Sequence, residues 1–141
     1  MKIFKMIILT IIGGLIYLLV EMLYRGHTHW TMLIDGGICG YLVGELDDIM
    51  PWKMSFIIQC ILGGLVITVV EFVSGCIINI WLGWGIWDYS NRPFNLMGQI
   101  CLEFTLLWMV ACAAWIPIYD YIKYMLFDEE KPHYSILGGI K

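Results

Sequence analysis

Apolar residues run along this chain in blocks too long and too unbroken for an ordinary soluble helix. Four such blocks are separated by short polar stretches. The pattern predicts helix 1 over about Ile3–Tyr24, apolar beyond Lys5 except for Thr10 and Glu21. Arg25-Gly-His-Thr-His-Trp30 then forms a turn. Helix 2 is predicted over about Thr31–Leu46, with Gly36, Gly40 and Gly44 on one face at four-residue spacing. Small residues so placed let helix backbones approach closely. Glu45, Asp47 and Asp48 end it, and Pro51 blocks simple continuation. Helix 3 is predicted over about Trp52–Trp81 and contains Glu71. Trp81, Trp84, Trp87 and Phe94 then flank a polar loop, Asp88, Tyr89, Ser90, Asn91, Arg92 and Asn95. Helix 4 is predicted over about Leu96–Phe127, with a kink at Pro117. Its last turns are amphipathic and are expected to emerge among lipid headgroups, and residues 128–141 form a polar tail.

These blocks match the span of a bilayer, which needs about 20 apolar residues per helix. Only helices and closed barrels satisfy their backbone groups in lipid, and these runs have helical length. The expected fold class is therefore all-α: a polytopic membrane protein with four transmembrane helices arranged as two repeated hairpins, over residues 1–127. Composition agrees. The chain is 60% hydrophobic and 14% charged, against roughly 25% charged in soluble domains. The basic start and apolar core of helix 1 resemble a signal peptide, but the run is long and lacks a small-residue cleavage site, so it reads as an uncleaved first helix. Lys2, Lys5, Lys53, Lys123, Lys131 and Lys141 fall on the side of the termini, and only Arg25 and Arg92 fall on the other. The positive-inside rule then places both termini in the cytoplasm. The net charge of −4 is spread over loops and tail, which gives no nucleic-acid surface. Cys39, Cys60, Cys76, Cys101 and Cys112 all lie in apolar runs without metal or CxxC spacing and read as packing residues.

An internal repeat is visible. Ile11-Ile-Gly-Gly-Leu-Ile-Tyr-Leu-Leu-Val-Glu21 aligns with Ile61-Leu-Gly-Gly-Leu-Val-Ile-Thr-Val-Val-Glu71, with six of eleven positions identical. Gly36-Gly-Ile-Cys39 resembles Gly98-Gln-Ile-Cys101 in the same way. Each unit then reads as a hairpin, and two hairpins in one orientation form a parallel repeat.

The charged residues inside the apolar blocks carry the candidate chemistry. Glu21 and Glu71 each lie roughly 24 Å from the start of their helix, and Glu103 about 9 Å in from the end of its own. A carboxylate at such depth is costly and is expected to face the bundle interior with a partner. Two readings follow for Glu21, Arg25, Glu71, Asp88, Arg92 and Glu103. One is a cation or proton pathway. The other is a structural ion-pair network in which Arg25, four residues after Glu21, and Arg92 hold the helix ends together. The polar loop reads either as a cap over the carboxylates or as an interfacial turn within an aromatic belt. His27 and His29 sit in a loop without further ligands nearby. No catalytic, cofactor or metal site is expected.

Leu23-Tyr-Arg-Gly-His-Thr-His-Trp-Thr-Met32, Ile67-Thr-Val-Val-Glu-Phe72 and above all Trp87-Asp-Tyr-Ser-Asn-Arg-Pro-Phe-Asn-Leu-Met-Gly-Gln-Ile-Cys101 resemble one family, that of the small bacterial membrane proteins described as Putative ABC-transporter type IV. The resemblance covers nearly the whole chain. It implies a permease-like protein of the plasma membrane and no catalytic residues. No P-loop motif occurs, so ATP use would fall to a partner ATPase, and the short helix 2–3 loop offers little for one to grip. The leading expectation is a small transporter or channel. The alternatives are a non-transporting scaffold or accessory subunit that binds another membrane protein, and a proton-coupled small multidrug exchanger. A homodimer joined through the small residues of helices 1, 2 or 3 is expected.

Overall fold

The apolar blocks fold as helices, and the polar punctuation between them decides where each one stops. In the computed structural model, which describes residues 1–50, 55–132 and 134, α1 is Lys2–Arg25 and α2 is Thr31–Gly44. Gly26 ends α1 in the left-handed conformation, φ 78°, and its amide returns to the Met22 carbonyl, the αL stop that glycine permits. A short α3, Leu46–Ile49, follows Glu45 directly. Asp47 and Asp48 therefore continue the helical path rather than ending it. Pro51, Trp52 and Lys53, on which the predicted start of helix 3 rests, lie outside the described residues. Within them, α4 runs Phe56–Gly75, with the Ser55 hydroxyl capping it by accepting from the Ile58 amide at 3.3 Å. Its end widens into a π-helical turn, Cys76–Trp81. α5 runs Leu102–Phe127 and passes through Pro117. His133 and residues 135–141 of the expected tail, Lys141 among them, also lie outside the described residues.

The expectation that helix 4 begins at Leu96 is corrected. Asn95–Leu96 (β1) pairs antiparallel with Ile100–Cys101 (β2), so the chain carries a small β-hairpin and is not purely helical. Met97 (φ 54°) and Gly98 (φ 73°) form its turn, and Phe94 before it also has positive φ (55°). A right-handed helix cannot run through such residues, so α5 starts six positions later than the apolar pattern implied.

Three helical stretches, Lys2–Arg25, Phe56–Trp81 and Leu102–Phe127, are long and apolar enough to cross a membrane, whereas the apolar Thr31–Gly44 is shorter. α1 packs on α2 and α4 packs on α5. Both pairs are antiparallel. A Cβ on Gly14 would collide with the Leu33 carbonyl, and one on Gly37 would meet the Thr10 carbonyl oxygen at 2.5 Å. In the second pair, Gly64 lies in the same way against the Met109 backbone. The Gly-Gly of the repeat thus performs the same task in both copies. The second half of the repeat is not equivalent, because Gly36–Cys39 is helical while Gly98–Cys101 belongs to the β-hairpin.

The glycine stripe of α2 does something other than bring backbones together. A Cβ on Gly36 would meet the Tyr17 ring at 2.7 Å, one on Gly40 would meet Trp115 at 3.0 Å, and one on Gly44 would run into Tyr119. These glycines seat aromatic rings of the same chain, and the core cluster Val43, Cys112 and Ile116 forms beside them. On α2, one of the helices whose small residues were expected to join two copies, this stripe is occupied within the chain. The outer flank of α1 stays apolar and uncovered at Ile7, Ile11, Leu15 and Leu19, a four-residue stripe that suits lipid.

Candidate functional site

The two ends of the bundle have different chemistry. At the end where the chain starts, Lys5 pairs with Glu129 just beyond α5. Lys123, 4% exposed, reaches Asp48 at 2.8 Å, Glu45 at 3.1 Å and Glu129 at 3.3 Å. Tyr119, fully buried, donates its hydroxyl to Glu45 at 2.6 Å. One face of the last turns of α5, carrying Tyr119 and Lys123, therefore packs inward against α2 and α3, while Tyr121, Tyr124, Met125 and Leu126 stay exposed. Lys123, Asp48 and Glu129 line a polar cavity of about 570 Å³ together with Asp47, Asp120, Asp128 and Lys131.

At the opposite end, the loop after the π-turn folds over the helix ends. Asn79 organises it. Its side-chain oxygen accepts from the Ile86 amide at 2.6 Å, and its amide donates to Gln99 Oε1 at 2.8 Å. The motif Trp87-Asp-Tyr-Ser90 then divides its tasks. Trp87 is buried and donates its indole N–H to the Gln99 carbonyl at 3.0 Å. Asp88 turns the chain by accepting from the Ser90 amide at 2.9 Å and from the Ser90 hydroxyl. Those two donors hold the Asp88 carboxyl below its usual range. Tyr89 points down into the bundle and donates its hydroxyl to Glu71 Oε2 at 3.0 Å. Burial, and then the nearby Glu71 carboxylate, push the Tyr89 phenol well up. Trp81 and Phe94 remain exposed at the rim, while Tyr89 reaches over Glu71.

The six candidate residues separate. Glu21 is buried and holds Arg25 at 3.4 Å, the Tyr17 hydroxyl at 3.1 Å and the Thr28 hydroxyl at 2.5 Å. Arg25 also donates to the Ile86 carbonyl at 3.4 Å, tying α1 to the loop. Arg92 pairs with Glu103 at 2.9 Å near the surface. Glu103 is in the first turn of α5, with a side chain 59% exposed, rather than about 9 Å inside the membrane. Asp88 stays in the loop. The two arginines are therefore engaged with Glu21 and Glu103. Glu71, 8% exposed, has two neutral donors instead: Tyr89 on Oε2 and the Trp108 indole on Oε1 at 3.3 Å. Among the described residues it forms no ion pair.

Glu71 lines a second cavity, of about 300 Å³, enclosed by α1, α2, α4 and α5. Asp35 on α2 lines it too, with the Ser74 hydroxyl beside it. The sequence expectation named Glu21, Glu71 and Glu103 and left Asp35 out. The signal was its type: an ionisable residue within an apolar helix marks a site. Tyr17, Trp108 and Trp115 supply rings to the walls, and Ile67, Cys39 and Cys112 supply apolar surface. The five cysteines are all free. Chemically, the cavity presents two carboxyl groups at its loop end and an apolar, aromatic body below them. Such an arrangement attracts positive charge and excludes anions.

Neither the curated proteins nor the solved structures contain a match to the chain. Over residues 4–138 the sequence matches the family described as Putative ABC-transporter type IV, and the chain belongs to that family.

Proposed function

We propose that this protein is a small permease- or channel-like transporter of a bacterial plasma membrane, with Asp35 and Glu71 in its polar pathway. One observation carries the reading. A cavity lies among α1, α2, α4 and α5, and it holds two carboxyl groups from different helices while the nearby arginines are spent elsewhere. Structural carboxylates are ordinarily paired, whereas carboxyls kept beside a cavity mark a path for cations or protons. Tyr89 closes the loop end of that path and is the natural gate.

The pathway reading goes with four membrane crossings in two hairpins. α2 alone is about 21 Å long, but α2 through α3 covers about 28 Å, close to a core of about 30 Å. Both termini then share the cytoplasmic face. A dimer, if formed, uses the outer apolar faces, since the glycine faces are filled.

Two measurements test this. Proteoliposomes loaded with a pH-sensitive dye and given a pH gradient should equilibrate faster with the parent protein than with the Asp35→Asn, Glu71→Gln double variant. Equal rates for parent, variant and empty vesicles would remove the pathway. A membrane-impermeant thiol reagent on intact cells should reach Asn91→Cys and miss Glu130→Cys, and the reverse pattern would invert the orientation.

A further inference from the structure

We infer that the 300 Å³ cavity is a binding site for an amphipathic organic cation that enters from the lipid, its charged head between Asp35 and Glu71 and its apolar body against Trp115, Cys112 and Ile118. This rests on the transport reading for its purpose, but the binding site stands on its own geometry. The walls decide the ligand's chemistry. A hard metal ion needs about six or more oxygen ligands or retained water, and the lining is mostly aliphatic and aromatic, with the Tyr17 hydroxyl already given to Glu21. A neutral apolar molecule would leave two carboxyl groups with hydrogen-bond donors but no countercharge, which is costly for their ionised forms. An anion would meet them as like charge. An organic cation satisfies both halves of the site: its charge faces the carboxyl groups and the rings of Tyr17 and Trp108, and a cation over an aromatic face is attracted to it.

The route in is lateral. Val20 on α1 and Ala111, Ala114 and Ile118 on α5 line the cavity and are themselves exposed on the outer flank. α1 packs on α2 and α5 on α4, so a cleft opens between α1 and α5 onto the lipid-facing surface. A helix from a second copy is the competing occupant. It cannot provide the charge, because no Lys or Arg occurs between Lys5 and Arg25, between Arg25 and Lys53, between Lys53 and Arg92 or between Arg92 and Lys123. Among the described residues, every lysine and arginine lies near a helix end or in a loop. The carboxyl groups occupy the loop end of the cavity and Ile118 its far end, so a bound amphiphile has its head towards the interface, the orientation it already has in a lipid leaflet.

The test uses tetraphenylphosphonium and tetraphenylborate, matched in shape and opposite in charge. Binding is measured by equilibrium dialysis against the protein in lipid nanodiscs, with empty nanodiscs subtracted. The phosphonium should bind saturably and the borate should not. Asp35→Asn and Glu71→Gln should each weaken phosphonium binding about tenfold or more, as loss of a buried charge partner does. Ala111→Trp, which plugs the cleft without touching either carboxyl, should abolish binding while leaving the melting temperature within a few degrees of the parent, and it answers the question if a carboxyl variant misfolds. Equal uptake of both ions, binding indifferent to all three substitutions, or no saturable phosphonium binding would each overturn the inference. Phosphonium binding without any proton flux would remove the transport reading and leave this site in place. Carboxyl-dependent flux without phosphonium binding would do the reverse.

Discussion

Tyr89 donates its hydroxyl to Glu71 across 3.0 Å, joining an extramembrane loop to a carboxyl group inside α4. The link is supported from behind. The Tyr89 ring stacks on Phe104 at 4.8 Å, and the Arg92 guanidinium lies 5.5 Å above that same ring while it pairs with Glu103. The loop is therefore held by the start of α5 and aimed at the end of α4. The carboxylates expected to share one site are divided: Glu21 pairs with Arg25, Glu103 with Arg92, and Glu71 takes the Tyr89 hydroxyl. Glu103 and Arg92 position the cap, and Glu71 receives it.

Tyr89→Phe separates the hydrogen bond from the stacking. The ring stays on Phe104 while Glu71 Oε2 loses its donor. Removing one partner of a buried hydrogen bond costs about 1–3 kcal/mol, so the melting temperature in detergent should fall. Amide exchange in residues 82–101 should quicken at the same time, because the cap has lost its anchor. An unchanged melting curve with unchanged exchange would mean that stacking alone holds the loop.

Glu71→Gln distinguishes a pathway carboxyl from half of an ion pair. The amide keeps one acceptor oxygen, but Tyr89 and Trp108 both donate to Glu71, so one of them is left short. The expected loss is again about 1–3 kcal/mol. Breaking a buried ion pair would cost about 3–5 kcal/mol. Thermal melts of Glu71→Gln beside the parent decide this, and a drop on the ion-pair scale would reveal a cationic partner for Glu71 and count against the pathway.

Much of the architecture was legible because the bilayer permits so few solutions. Long apolar runs had to be helices, and Gly26 marked a stop. The Gly-Gly pairs of the repeat also proved to be close contacts, Gly14 against Leu33 of α2 and Gly64 against Met109 of α5. What failed was information carried between helices. The apolar run from Leu96 gives no hint that Met97 and Gly98 take positive φ. Lys123 counted as a surface charge, yet it faces three carboxylates that arrive from α3, from the residue before it and from beyond α5. The stripe of Gly36, Gly40 and Gly44 correctly signalled close packing, but spacing cannot say whether a backbone or a ring fills the space. Asp35 and Tyr17 gain meaning only when four helices close around one cavity.

Gly44→Ala and Gly40→Ala should be destabilising in that order. At Gly44 the new methyl group meets the Tyr119 ring. That ring has no room to move, being fully buried, bound to Glu45 at 2.6 Å and packed against Trp115 at 5.8 Å. At Gly40 the nearest atom, on Trp115, is 3.0 Å away. Trp115 is only half-buried, but it also donates to the Gly40 carbonyl at 2.9 Å, so a small shift strains one bond rather than a whole cluster. Overpacking costs about 1–3 kcal/mol, with Gly44→Ala near the top of that range and Gly40→Ala near the bottom. Melting temperatures of the two variants in one detergent check the ranking, and the reverse order would mean that Tyr119, not Trp115, is the ring that yields.

Lys123→Met tests the opposite end of the bundle. The ammonium group is the common partner of Glu45, Asp48 and Glu129, and it is itself 4% exposed. Met keeps most of the volume and the apolar stem but removes the charge. The three carboxylates then lose their common partner, and Lys5 remains paired to Glu129 alone. Asp48 is 59% exposed and can turn to water, so its share of the loss is small. Glu45 is 17% exposed and held by the Tyr119 hydroxyl, so it cannot leave. Most of the penalty therefore falls on the Lys123–Glu45 pair, where removing one partner costs up to about 3–5 kcal/mol. The double variant Lys123→Met, Glu45→Gln should recover much of that loss, while Lys123→Met, Asp48→Asn should recover little. A melting series over the four proteins measures both couplings. Equal rescue by the two second-site changes would show that the lysine serves the acidic cluster as a whole and not the one buried pair.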